Sequence, residues 1–354
     1  MNEDKYIGMD VHQASIVCAV HNPAGKCIAH SIIETKAETV RDFLRGLSGT
    51  LHATFEEGTQ AHWLYELVRP LVSELIVCNP RRNHLLKEGS KSDRVDASKL
   101  AELLRAGLLK SVYHGAPAVR PLKELAHAYD HLTADRVRVM SRLKALYRAR
   151  AIPCAGTTPY SQARRGEWLA QLEAGAGRFR AEWLYAELDA VSGLRRAARN
   201  RLLGEARGMP AYKLLLNIPG LGPIRVAQLI AAVGSPHRFR SKRQFWAYCG
   251  LAVVTKSSAE QELVAGRWVR RERGVQTRGL NEQFNHRLKA VFKGAALAAL
   301  KDATFKRYYE RLRARGLRAE VARVQVARKL AAVSLAVWKR TQEYDESKVL
   351  KQAA

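Results

Sequence analysis

The sequence predicts an α/β N-terminal domain, then a helical coiled-coil segment, then a mainly α C-terminal domain. Three observations predict it. Strand-like and helix-like apolar spacings alternate over residues 1–115. Helix spacing alone runs on over 116–208. Apolar helices punctuated by Gly and Pro, amid dense positive charge, fill 209–354.

The first domain begins with three strands. Tyr6-Ile7-Gly8-Met9-Asp10 is a short apolar run ending in an acid. Ser15 to Val20 and Cys27 to Ile33 flank Asn22-Pro23-Ala24-Gly25, a turn by composition, so the three strands are expected to be antiparallel. Val40, Phe43, Leu44 and Leu47 follow helix spacing. Leu51 to Glu56 is a fourth strand, Trp63 to Leu71 a second helix, and Glu74 to Cys78 a fifth strand stopped by Asn79-Pro80. Ser92 is placed to N-cap a helix that carries Asp93 and Asp96 and runs through Leu100, Leu103 and Leu104 to Gly107. This βββαβαβα order, with acids at these places, is the ribonuclease H-like (RuvC-like) arrangement.

Leu122, Leu125, Leu132, Val139, Leu143 and Leu146 recur at helix spacing amid Arg and Lys. A break at Ile152-Pro153 to Pro159 precedes a second helical stretch from Gly166, so a long antiparallel hairpin is expected. Such an element serves as a spacer or a self-association surface. Next, Ile218-Pro219-Gly220-Leu221-Gly222-Pro223 precedes the apolar helix Val226 to Val233. Two glycines and two prolines between helices resemble a helix-hairpin-helix turn, whose backbone N–H groups take a phosphate. A plain connecting turn is the alternative.

Residues 238–354 hold 27 Lys or Arg against 10 Asp or Glu, so +17 of the chain's +27 lies there. That charge points to a polyanionic partner. Its longest apolar run, Leu330 to Trp338, is too short to span a bilayer and is bounded by Lys329 and Lys339. The first five residues have no apolar signal core. Five scattered cysteines form no Cys-x-x-Cys pair, so a reduced bacterial cytoplasm is expected, with no membrane partner.

Four acids carry the chemistry: Asp10, Glu56, Asp93 and Asp96. Two end strands, and two lie three apart on one helix face. Such carboxylates can converge, and like charges brought close repel unless divalent cations lie between them. Hard cations such as Mg2+ take oxygen ligands and bind phosphates, which points to metal-dependent phosphodiester chemistry. Singly, each acid has a plainer explanation: a strand-end Asp in a turn, or first-turn acids complementing the helix dipole. Glu57 adjoins Glu56, and strand alternation alone does not choose between them. Ser257 and Ser258 end a loop or strand beside Lys256, and Arg267, Arg270, Arg271, Arg273 and Arg278 follow. These arginines could stabilise a phosphate undergoing attack or simply hold nucleic-acid backbone.

Several stretches together resemble the Piv/MooV-like transposases, the bridge-RNA-guided serine recombinases of bacterial insertion sequences. They are Tyr6 to Asp10, Phe55-Glu56-Glu57-Gly58, Lys91 to Ala97, Ile218 to Gly222, and Gly250-Leu251 with Ser257-Ser258. The resemblance implies an RuvC-like domain with four metal-binding acids, a coiled-coil segment that mediates assembly, and a transposase domain with a nucleophilic serine. Carried over, Asp10, Glu56, Asp93 and Asp96 bind Mg2+, and Ser258 attacks DNA to form a phosphoserine. Many members read Ser-Gly, whereas Ala259 follows Ser258 here, which keeps Ser257 as an alternative. Gly220, Gly222, Lys256, Arg267, Arg270, Arg271 and Arg278 are the expected nucleic-acid contacts. Target and donor DNA, a structured non-coding guide RNA and a homodimer or homotetramer are the partners implied. A RuvC-like metal-dependent structure-specific endonuclease with no covalent intermediate is the alternative.

Overall fold

The computed structural model describes residues 3–80, 92–115, 117–256, 261–264, 267–270, 276–281 and 283–350. The chain divides into two compact units, 1–114 and 115–354.

The first unit is mixed α/β. Its strands are β1 (Asp4–Val11), β2 (Ser15–His21), β3 (Cys27–Glu34), β4 (Thr50–Glu56) and β5 (Glu74–Cys78). They form one sheet in the order β3-β2-β1-β4-β5. As expected, β1, β2 and β3 pair antiparallel, while β4 joins β1 and β5 joins β4 in parallel. Parallel neighbours need a crossover connection. Helices α1 (Ala37–Arg45) and α2 (Ala61–Val68) stand between the later strands in sequence.

Strand alternation explains the layering. Ile7, Met9, Ile16, Cys18 and Val20 point to the face where Val40, Leu44, Leu64 and Val68 from α1 and α2 are buried. Val17 and Ala19 point to the other face and meet Ala97. Ala97 belongs to α3 (Asp93–Arg105), whose Leu100, Leu103 and Leu104 pack with Cys78. The inner strand β2 is therefore covered on both faces, which suits its run of small and β-branched residues, while the edge strand β3 leaves Ile32 76% exposed. Fully burying one such leucine contributes about 2 kcal/mol. Ser92 caps α3 as expected, its hydroxyl accepting from the Val95 N–H at 3.3 Å.

The second unit is mostly helical. Helices α4 (Arg120–Arg148) and α6 (Ala176–Arg207) form the long hairpin, with the short α5 (Arg165–Ala170) near its tip. The stretch expected to be one helix from Gly166 is thus broken, and it restarts after Gly175, whose φ of 135° suits glycine. The tip has its own core of Val139, Leu143, Tyr147, Trp168, Leu184 and Tyr185. In the middle the ties are polar: Arg195 donates to Thr133 Oγ1 at 2.9 Å and Tyr129 Oη at 2.6 Å, and Arg136 to Ser192 Oγ at 3.2 Å.

The foot of the hairpin, Leu122, Ala126, Leu202 and Ala206, joins the core of the remaining helices. These are α7 (Ala211–Leu216), α8 (Pro223–Val233), α9 (Lys242–Tyr248), α10 (His286–Ala299), α11 (Ala303–Ala314), α12 (Ala319–Arg340) and α13 (Ser347–Leu350). Strands β6 (Val253–Lys256) and β9 (Gln276–Leu280) pair antiparallel, as do β7 (Gln261–Val264) and β8 (Arg267–Arg270). Sequence periodicity does not separate α9, α11 or β7 to β9, because their apolar positions are few or short. No helix among the described residues is long and apolar enough to cross a membrane.

Candidate functional site

Asp10 is carried by the central strand β1, next to β4, so Asp10 and Glu56 end neighbouring parallel strands on the same edge. Both line one cavity of about 610 Å3, together with Gln13, Phe55, Glu57, Gly58 and Gln60. Glu56 is half-buried and Glu57 exposed, and both face this cavity. The loop holding them is anchored to β5, the Glu57 N–H donating to Cys78 O at 2.8 Å.

Asp93 comes close to Asp10 from the start of α3. The approach depends on Gly8. A Cβ there would lie 2.0 Å from Ala97 O and 2.5 Å from Ala101 N, so the α3 backbone rests directly on β1. Two residues beyond Gly8 on the strand, and one turn before Ala97 on the helix, are the two aspartates. His12 joins them: its Nε2 lies 3.3 Å from Asp10 Oδ2 and 3.4 Å from Asp93 Oδ2. Donor atoms of Asp10, His12 and Asp93 all fall within 4.8 Å of one another, a group that could hold a metal ion. Asp10 is 22% exposed, His12 45% and Asp93 64%. Asp96, half-buried on the same helix turn, and Glu56 stand outside that trio.

The donor set suits a hard divalent cation, since carboxylate oxygens dominate it. Sequence reasoning missed His12. Its signal was its place two residues after Asp10 in the tight β1–β2 turn, where the imidazole cannot go far from the aspartate.

In the second unit the predicted contacts separate into classes. Gly220 has a φ of 84°, and a Cβ there would lie 2.3 Å from Ala295 O, so packing against α10 accounts for this glycine. Its carbonyl accepts from Arg225 at 3.0 Å. Gly222 immediately precedes α8, and a Cβ added to it would meet nothing within 4 Å, which leaves that helix's N-terminal turn open. Lys256 ends β6, Arg267 and Arg270 bound β8, and Arg278 lies on β9; Arg267 is exposed. Ser257, Ser258 and Arg271 lie outside the described residues.

A cationic recess was not foreseen. Arg240, Lys242, Lys329, Lys339 and Arg340 line a cavity of about 420 Å3, against Glu343 and Asp345. Burial, and then the neighbouring Lys242, push the Lys329 ammonium below the usual lysine range.

Comparisons with known proteins match two stretches of the chain. A family model described as a transposase, of the DEDD type of the IS110 group, matches residues 7–149. A second, described as "Transposase IS116/IS110/IS902 family", matches 212–310. A "Probable family 20 transposase" of Pseudomonas aeruginosa is 24% identical over 234 residues, which is 65% of this chain and 69% of that protein. An "Insertion element IS110 uncharacterized 43.6 kDa protein" of Streptomyces coelicolor is 30% identical over 154 residues, 44% of this chain and 35% of that protein. Residues 7–149 and 212–310 thus match IS110-family transposase domains, and a chain that carries two such stretches is an enzyme acting on DNA.

Proposed function

We propose that the chain is a site-specific DNA recombinase of an insertion sequence, cutting and rejoining DNA at a Mg2+ centre through a covalent phosphoserine. The observation that carries this is the convergence of Asp10 and Asp93, from a strand and a distant helix, beside the cavity that Asp10 shares with Glu56. The strand order β3-β2-β1-β4-β5 supports a ribonuclease H-like reading of the first unit. Asp10, Glu56, Asp93 and Asp96 would hold the ion. When bound, it supplies Lewis-acid polarisation of the scissile phosphate.

The chain's own residues then do the rest. Ser258 Oγ, or Ser257 Oγ, attacks the phosphorus and loses its proton. The bond from phosphorus to the departing strand's oxygen breaks, and that oxygen leaves as a hydroxyl. A partner strand's hydroxyl later attacks the phosphoserine and returns the serine, so the bond energy is conserved. The cationic recess and the net +17 of residues 238–354 support binding of DNA and of the structured guide RNA that the resemblance implies. Self-association as a homodimer or homotetramer belongs to the same reading. It is supported by the exposed, mutually packed Phe179 and Trp183 on α6, 55% and 68% exposed. Trp183→Glu should lower the mass seen by light scattering, and an unchanged mass removes that face from the assembly.

The test of the chemistry is to incubate the protein with cognate nucleic acids and Mg2+ and look for protein covalently joined to DNA. An adduct lost in Ser258→Ala and kept in Ser257→Ala supports the reading with Ser258 as nucleophile. Cleavage that survives both serine changes and is lost in Asp10→Ala replaces it with a hydrolytic, RuvC-like nuclease.

A further inference from the structure

We infer that His12 is itself a ligand of the ion held by the acids, supplying Nε2, and that this nitrogen turns the centre toward Mn2+ over Mg2+. The inference rests on the metal-centre reading above and deepens it.

The geometry comes first. Adjacent ligands of an octahedral ion with bonds of about 2.1 Å stand about 3 Å apart. His12 Nε2 lies 3.3 Å from an oxygen of Asp10 and 3.4 Å from an oxygen of Asp93, near one such edge in both directions. The three donors come from three places: the end of β1, the β1–β2 turn and the first turn of α3. Their donor atoms all lie within 4.8 Å of one another.

The position of His12 is held by its backbone. The His12 N–H donates to Ser15 O at 2.9 Å, and the Thr35 hydroxyl donates to His12 O at 3.0 Å. The turn is thereby tied to both β2 and the segment after β3, so the backbone that carries the ring is fixed beside Asp10. Preorganised ligands lose less entropy on binding.

The chemistry of the nitrogen gives the metal preference. Mg2+ demands oxygen ligands and keeps its waters, so an imidazole adds little to its binding. Mn2+ takes carboxylates as Mg2+ does, but it is softer and holds its waters less tightly, so it yields a position to a nitrogen donor more readily. A site of aspartates and one imidazole therefore separates Mn2+ from Mg2+ more than an all-carboxylate site does. A competing account is that Nε2–H is simply shared as a hydrogen bond between the two carboxylates. It makes a different spectroscopic prediction.

The experiment uses the full chain loaded with one equivalent of Mn2+ and pulsed electron paramagnetic resonance. The expected spectrum shows the nitrogen modulation of a coordinated imidazole. His12→Ala should lose that modulation and still hold Mn2+, about tenfold more weakly. Less Mg2+ should then suffice to displace half of the Mn2+ from the variant. Mn2+ held by wild type without nitrogen modulation, or modulation that persists in His12→Ala, overturns the role of His12 and leaves the acid centre standing. Absence of Mn2+ binding, or equal binding by Asp10→Asn, overturns both. Circular dichroism of each variant checks that it is folded.

Discussion

Gly8 and Ala97 lie so close that a Cβ on the glycine would come within 2.0 Å of the alanine's carbonyl oxygen. The neighbour is helix backbone, which cannot rotate aside as a flexible side chain would. Gly8→Ala should therefore push α3 off the sheet and move Asp93 away from Asp10. The expected loss of stability is about 3 kcal/mol, at the upper end of ordinary overpacking. Urea unfolding measures it, and a loss under about 1 kcal/mol would show that the helix yields freely.

The acids and the cations should separate catalysis from binding. Asp93→Asn removes one carboxylate charge and no lysine or arginine. DNA cleavage is expected to fall by more than about a hundredfold. DNA affinity and its salt dependence should change by no more than about twofold, because phosphate contacts dominate both. Parallel cleavage assays and binding titrations decide it. A proportional loss in both would assign Asp93 a structural role.

Asp130 ties the foot of the hairpin to two other helices. Gln228 of α8 donates to it at 2.6 Å, and Arg287 of α10 donates to its other oxygen. Arg287 is 15% exposed, so removing its partner leaves a poorly solvated cation. Asp130→Ala should cost about 2 kcal/mol, less than a fully buried pair because water still reaches both groups. Asp130→Asn should recover part of that loss by keeping the Gln228 contact. Equal loss in the two variants would show that the charge alone matters.

At the hairpin tip, Arg165 holds both oxygens of Asp189, at 2.7 and 2.8 Å. These hydrogen bonds set the Asp189 carboxyl below its usual value of 3.8. The folded state therefore binds a proton less readily than the unfolded one. Its stabilisation is fully present above about pH 4 and is lost as pH falls through the lower, folded value. Asp189 is 47% exposed, so the contribution is discounted to about 1 kcal/mol. Wild type and Asp189→Asn should differ by this amount at neutral pH and converge in acid. Urea midpoints across pH measure the gap, and one that widens on acidification would reverse the assignment.

Much of the first unit was legible from periodicity. Val17 and Ala19 alternate with Ile16, Cys18 and Val20 because both faces of β2 are covered, and Ser92 marks the start of α3 because its hydroxyl can take a helix N–H. The long α4 and the turn before α8 were legible for the same local reasons. The short β7 to β9 were not, since four or five residues carry too little pattern. Nor was the cationic recess, whose members lie at 240–242 and 329–340 and meet only in the folded chain.

By itself the sequence determined which acids were available, the elements that carry them and the basic character of the C-terminal half. Each of those follows from composition or from spacing within one element. Only the tertiary structure decided that Asp10 and Asp93 share a histidine, that Glu56 and Glu57 face one cavity, and that Gly220 serves packing against α10. Those outcomes depend on how closely one backbone approaches another, a distance between elements that no periodicity along the chain encodes.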